Sequence, residues 1–168
     1  MIIAVCGYGT HGKGTSAAYI CLKTGLRYKE STSEAAARVV FEELKDQYGY
    51  ATKEEAWNDR HNHRDEWADT IWTYNEPDGL TLYREMLEHN DILEGVRRSS
   101  ELQALKRHRV IDMAVWIDAL KRKPREASSS CQVRAEDCDH VIDNNGTLDD
   151  LKINLDRLIE CHILPKME

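Results

Sequence analysis

The segment Gly7-Tyr-Gly-Thr-His-Gly-Lys-Gly-Thr15 constrains this chain more than any other stretch. It follows the apolar run Met1–Cys6 directly and leads into a helical pattern over Thr15–Lys23, stopped by Gly25. A short run rich in β-branched residues, ending at a glycine, reads as a buried strand of a parallel sheet. Glycines in the turn that follows let successive backbone amides point inward around an anion. The spacing Gly7, four residues, Gly12, Lys13 is that of a phosphate-binding loop. The helix N-terminus adds a favourable dipole, and Lys13 adds a full positive charge at the β/γ-phosphates. Gly14 stands where Ser or Thr commonly follows the lysine, and Thr15 comes next.

Past this loop, strand and helix signals alternate. Arg27–Glu30 is a candidate second strand. Ser31-Thr32-Ser33 offers caps for a helix over Glu34–Gln47, with Ala36, Val39, Val40 and Leu44 on its apolar face and Gly49 at its end. Thr52–Glu55 is a capping box, His63–Tyr74 is helical, Pro77-Asp78-Gly79 is a turn, and Leu80–Glu88 is helical again. Asp91–Val96 and Val110–Ile117 read as strands. Between them Ser99 or Ser100 would cap a helix over Glu101–Arg107. Residues 119–137, basic and then serine-rich, read as a loop or short lid. His140–Asp143 is a last strand. Thr147–Asp150 is a capping box that opens a helix with Leu148, Leu151, Leu155, Leu158 and Ile159 inward. This alternation predicts an α/β domain with a mostly parallel sheet covered on both faces. At 168 residues the chain is one domain, 1–168.

Composition narrows the function. Lys+Arg 23 against Asp+Glu 30 gives a net charge of -7, unfavourable for general binding to nucleic acid or an anionic membrane. No apolar stretch approaches the roughly 20 residues that cross a bilayer, and Met1–Cys6 lacks the flanks of a signal peptide. The cysteines Cys6, Cys21, Cys131, Cys138 and Cys161 contain no Cys-x-x-Cys pair, so they read as small buried hydrophobes in a reducing compartment, the cytoplasm.

Gly12-Lys13-Gly14-Thr15 resembles the loop of adenylate kinases and other nucleoside monophosphate kinases. Ser31-Thr32, followed by a helix bearing Arg38, is similar to that family's acceptor-binding Ser-Thr and helical arginine, with a gap one residue longer. Glu94-Gly95-Val96-Arg97-Arg98 resembles the family's Asp-Gly-Phe-Pro-Arg, and its Arg97-Arg98 resembles phage deoxynucleoside monophosphate kinases and phosphomevalonate kinases. Cys138–Leu148 is similar to the last strand and helix of dephospho-coenzyme A kinases, where the turn borders the adenine pocket.

The resemblance implies a P-loop NTPase three-layer sandwich, with a helical acceptor-binding region about 31–90 and a short basic lid about 119–137. It implies ATP and Mg²⁺ held by Gly7, Gly9, His11, Gly12, Lys13, Gly14 and Thr15, with Thr15 and Glu94 toward the metal. Lys13, Arg97, Arg98, Glu94 and a lid arginine such as Arg125 would serve phosphoryl transfer. Ser31, Thr32, Arg38, Arg64 and Arg98 would hold the acceptor.

The first expectation is a kinase acting on a deoxynucleoside monophosphate. Asn62-His63-Arg64, Glu66-Trp67 and Arg97-Arg98 also resemble phage kinases that phosphorylate 5-hydroxymethyluracil within DNA. A hydroxyl acceptor of that kind needs a carboxylate base within about 3 Å, for which Glu30 at the end of the second strand is the candidate. A non-catalytic nucleotide-binding protein is the third class. The acceptor is therefore a free nucleotide or a modified base in DNA, with no membrane partner, and a homodimer is compatible with the sequence.

The middle of the chain carries further residues of interest. Arg60 and Arg64, four residues apart, could meet a phosphate or pair with Asp59, Asp65 or Glu66. Trp57, Trp67, Trp72 and Tyr74 could pack in a core or stack on a base. His61 and His63 alone make a weak metal site. Lys121–Arg125 would close over a transferring phosphate or be solvated.

Overall fold

The computed structural model describes residues 1–167; the last residue of the expected domain, Glu168, lies outside them. Four strands form one parallel sheet in the order β2-β1-β3-β4: β1 Ile3–Cys6, β2 Ile92–Glu94, β3 Met113–Asp118 and β4 His140–Asp143. Between β1 and β2 run α1 Lys13–Thr24, α2 Thr32–Tyr48, α3 Lys53–Asp59, α4 Arg64–Asn75 and α5 Thr81–Met86. α6 Ser99–Arg107 links β2 to β3. After β4, α7 Leu148–Leu158 continues through a π-helical turn, Ile159–Ile163, into α8 Leu164–Met167.

The period of two in the strands builds both halves of the core. Ile3 and Val5 of β1, with Met113, Val115 and Ile117 of β3, face Ala17 and Ile20 of α1 and Leu151, Leu155 and Leu158 of α7. Ala4 and Cys6, with Ala114 and Trp116, face Ala35, Ala36 and Val39 of α2, Leu82, Tyr83 and Met86 of α5, and Leu102 and Leu105 of α6. Helices therefore cover both faces of the sheet, as the apolar strand runs predict. A third cluster joins α2 to α3 and α4 through Ala37, Val40, Leu44 and Trp67, with Trp57 and Ile71 packed against it. That cluster holds the α3–α4 pair against α2.

Local signals account for most helix starts. Ser31, Thr52 and Thr147 each accept the backbone N–H three residues on, and Glu34, Glu55 and Asp150 bond back to the cap amide. α1 stops at Gly25 and α2 at Gly49.

Four expectations are corrected. Arg27–Glu30 forms no strand. Its amides go to side chains instead: Arg27 N–H to Asp91 Oδ2 at 2.8 Å and Lys29 N–H to Asn90 Oδ1 at 2.6 Å. Ser99 and Ser100 lie inside the first turn of α6, whose N-cap is Arg98. β3 begins only at Met113, because the Val110 amide closes α6 on Leu105 O. Leu148, the first residue of α7, is 54% exposed rather than inward. Of the cysteines, Cys6 and Cys131 are buried and Cys161 is exposed.

One buried charge belongs to the fold. Glu101, on α6, accepts from Asn75 Nδ2 at 2.9 Å and from the Tyr83 hydroxyl at 2.8 Å, tying α6 to α4 and α5. Burial pushes its carboxyl up from the ordinary 4.5, and those hydrogen bonds with the Arg98 charge only partly oppose it. The stability linked to this group is whole below the ordinary value and is lost as pH rises through the raised one. Glu101→Gln should therefore gain stability relative to the wild type as pH rises above the ordinary carboxylate value, measured by urea denaturation across a pH series.

Candidate functional site

The chain leaves β1, goes to β2 on one side, and returns to β3 on the other side of β1. Ligands of open parallel sheets bind beyond the carboxyl ends of the strands, where the strand order reverses. Here that point is the Gly7–Gly12 loop at the end of β1.

Three residues fix the loop's shape. Gly7 has φ +151°, and a Cβ there would lie 2.8 Å from Ile117 O. Thr10 takes a left-handed φ of 62°. Gly12, the N-cap of α1, has φ +96°, and its missing Cβ would fall 2.5 Å from Asn144 Nδ2. No side chain caps α1 among the described residues, so the positive end of its dipole meets no capping side chain there.

His11 holds the loop from beneath. Its ring is fully buried, with Nδ1 accepting the Ala119 amide at 3.1 Å and Nε2 without a hydrogen-bond partner among the described residues. The His11 ring is thus turned into the core rather than toward the loop's open side, and the His11 amide donates to Tyr8 O at 3.3 Å. Asn144 Nδ2 donates to His11 O at 2.8 Å, which ties the loop to the end of β4.

Lys13 is 7% exposed and its ammonium turns back across the loop, donating to Tyr8 O at 2.9 Å, with Glu94 Oε1 3.9 Å away. Burial, and then the Arg97 charge, lower the Lys13 pKa from its ordinary value, while Glu94 pulls it back. Burial raises the Glu94 carboxyl against the pull of Lys13 and Arg97. The Tyr28 hydroxyl reaches Glu94 Oε2 at 3.5 Å.

A cavity of about 400 Å³ opens on this loop. Gly9, Thr10 and Lys13 form its floor; Trp57, Trp67 and Ile71 form an apolar wall; Arg60, Arg64 and Arg97 bring guanidinium groups to it. Arg60 stacks on Trp57, 3.9 Å from the ring centre. The carboxylate lining the cavity is Glu126. Arg97 Nη1 lies 3.1 Å from both of its oxygens, and Arg64 Nη1 is 3.4 Å from Oε1.

The expected site residues divide. Gly9, Lys13, Ser31, Arg64 and Arg97 line this cavity, and Glu94 sits beside Lys13. Ser31, however, spends its hydroxyl on the Glu34 capping box. Thr32 lines a smaller adjoining recess, with its hydroxyl buried and unpaired among the described residues. Arg98 lines the same recess, 3.5 Å from Asp69 and 4.9 Å from the Trp72 ring centre, not the main cavity. Gly14 and Thr15 are exposed on the first turn of α1.

Three expected residues lie apart from this cavity. Glu30 bonds His89 Nε2 at 2.9 Å and is absent from the cavity wall, because the Asn90 contacts turn its segment toward the end of α5. Arg38 pairs with Glu85, which also accepts from Tyr74, so its charge is spent between α2 and α5. Arg125 lies over Tyr8, 5.8 Å from the ring centre, outside the cavity. Its neighbour Arg122 donates to Asn144 O at 2.9 Å, which fixes the basic run on the β4–α7 turn.

Sequence reasoning missed Glu126 and Ser130 as cavity residues. Neither sits in a motif; Glu126 reads only as the end of a basic run.

Among the described residues no cluster of three or more His, Cys, Asp or Glu side chains could hold a metal ion. No helix is long and apolar enough to cross a membrane among the described residues. No protein-family model matches the chain, and no curated protein matches it.

Gly12→Ala should cost at least about 1 kcal/mol of stability, from strain at a positive φ. Because its methyl meets Asn144, adding Asn144→Ala should recover part of that loss, with a coupling of at least about 0.5 kcal/mol in urea denaturation. Simple additivity would mean the two positions do not touch.

Proposed function

We propose that the protein is a P-loop phosphotransferase that moves the γ-phosphate of ATP to a nucleotide acceptor, a deoxynucleoside monophosphate. The observation that carries this reading is the continuity of one cavity from the Gly9–Lys13 loop to Trp57, Trp67, Arg60 and Arg64. A donor phosphate on the loop and an acceptor against the α3–α4 wall would then share one cavity.

Charge supports the choice of acceptor. Lys13, Arg60, Arg64 and Arg97 face the cavity against the Glu126 carboxylate, in a chain of net charge -7. Such a focus of positive charge suits an acceptor that already carries phosphate. An acceptor phosphate is a nucleophile without help from a base, which agrees with Glu30 being turned away. The flat walls of Trp57 and Trp67 suit a base ring.

Mg·ATP would supply the transferable phosphoryl group and neutralise part of its charge. The protein's own work is positioning and electrostatics. The amides at the start of α1 and the Lys13 ammonium would hold the donor phosphates. Arg97, between loop and cavity, would stabilise charge on the group in transit. Arg60 and Arg64 would orient the acceptor. An acceptor oxygen bonds to the γ-phosphorus as the bond to the β–γ bridging oxygen breaks, and ADP departs with those electrons.

Lys13→Ala should lower turnover at least about a hundredfold with the fold intact by circular dichroism. Arg64→Ala should raise the KM for acceptor more than tenfold with little change in the KM for ATP; the reverse pattern would place the arginine on the donor. Radiolabelled ATP offered to all free mononucleotides and to plain and 5-hydroxymethyluracil DNA tests the whole reading. Label is expected on a free mononucleotide. Label on DNA would select the hydroxyl-acceptor alternative, and label on neither would leave a nucleotide binder without transfer activity.

A further inference from the structure

Glu126 stands out as a side chain whose surroundings do not match its segment. Residues 120–125 and 127–129 are exposed, whereas the Glu126 side chain is only 14% exposed. Its partners come from three other parts of the chain. Oε2 accepts the Gly9 amide at 2.5 Å, both oxygens face Arg97 Nη1 at 3.1 Å, and Arg64 Nη1 reaches Oε1 at 3.4 Å. Gly9 permits the contact, since a Cβ there would lie 3.2–3.4 Å from the carboxyl atoms. Burial pushes this carboxyl up, but Arg97, the Gly9 amide and Lys13 outweigh it and hold it below the usual carboxylate range.

A backbone amide of a glycine loop, two guanidinium groups and a nearby ammonium form a set of donors suited to phosphate oxygens. A carboxylate is the side chain that most closely imitates them. We propose that Glu126 is a built-in competitor for the phosphate cradle: its carboxylate occupies the donors of Gly9, Arg97 and Arg64 until a polyphosphate displaces it. This inference rests on the phosphate-binding reading of the loop and adds regulation to it.

Displacement has a direct consequence. Arg122 stays anchored on Asn144 O, while the segment beyond it, 123–129, loses the contacts of Glu126, and Lys123 and Arg125 are then free to move with it. The apparent affinity for polyphosphate is reduced by the fraction of molecules in which Glu126 is bound.

The test compares wild type, Glu126→Gln and Glu126→Ala. Mg·ATP and inorganic tripolyphosphate are titrated calorimetrically into each, and hydrogen exchange is followed in peptides spanning 120–130. Both variants should bind each ligand at least about fivefold more tightly than the wild type. In the wild type the segment should be protected until ligand is added; in the variants it should exchange fast throughout.

Equal or weaker binding by the variants, with normal binding by the wild type, would overturn the competitor role while leaving the phosphate site standing. Faster exchange without tighter binding would make Glu126 a structural anchor only, which also overturns the proposal. Failure of all three proteins to bind either ligand would defeat the phosphate-site reading, and this inference with it.

Discussion

The clamp on the loop after β1 is the constraint on which the rest of this site depends. A chain that turns from strand to helix in six residues needs backbone conformations that side chains resist, and Gly7, Thr10 and Gly12 take them. Within the loop, the His11 amide and the Lys13 ammonium both donate to Tyr8 O, and the sheet adds the rest. The buried His11 ring accepts the amide of Ala119 just beyond β3, and Asn144 just beyond β4 donates to the His11 carbonyl. Tyr8 adds an edge contact to Trp116 of β3, with ring centres 5.0 Å apart. Loop geometry is thus set by the carboxyl ends of two neighbouring strands. The amide of Gly9 and the start of α1 inherit their positions from the sheet.

Electrostatics follow from the same geometry. An acidic chain gathers Lys13, Arg60, Arg64 and Arg97 around one cavity, where burial makes uncompensated charge costly. Glu94 and Glu126 answer part of that charge from opposite sides: Glu94 beside the lysine, Glu126 between two arginines. The cavity stays net positive. That imbalance, more than any single contact, is what the proposed anion binding rests on.

Much of the scaffold was legible in the residues. Capping boxes at Ser31, Thr52 and Thr147 and the apolar strand runs are local signals, and the fold obeys them. Arg27–Glu30 was misread because Asn90 and Asp91, distant in sequence, take the amides a strand partner would have used. The same contact turns Glu30 away from the cavity. Arg38 and Arg98 lie off the main cavity for a different reason: their acidic neighbours Glu85 and Asp69 lie on other helices, and no spacing rule reveals which arginine has such a neighbour. Arg64 and Arg60 could be singled out by their four-residue spacing, but only the packing of α3 and α4 on α2 aims them at the loop. Glu126 had no local signal at all. It matters because its segment folds back 117 residues along the chain onto Gly9.

In the proposed mechanism the loop amides and the Lys13 ammonium receive polyphosphate. Labelling the nine glycines with ¹⁵N and titrating Mg·ATP tests it at the atoms concerned. The amide signals of Gly9, Gly12 and Gly14 should move saturably and together, while those of Gly25 and Gly49, at distant helix ends, should stay in place. Saturable binding that leaves the three loop amides unmoved would contradict the claim.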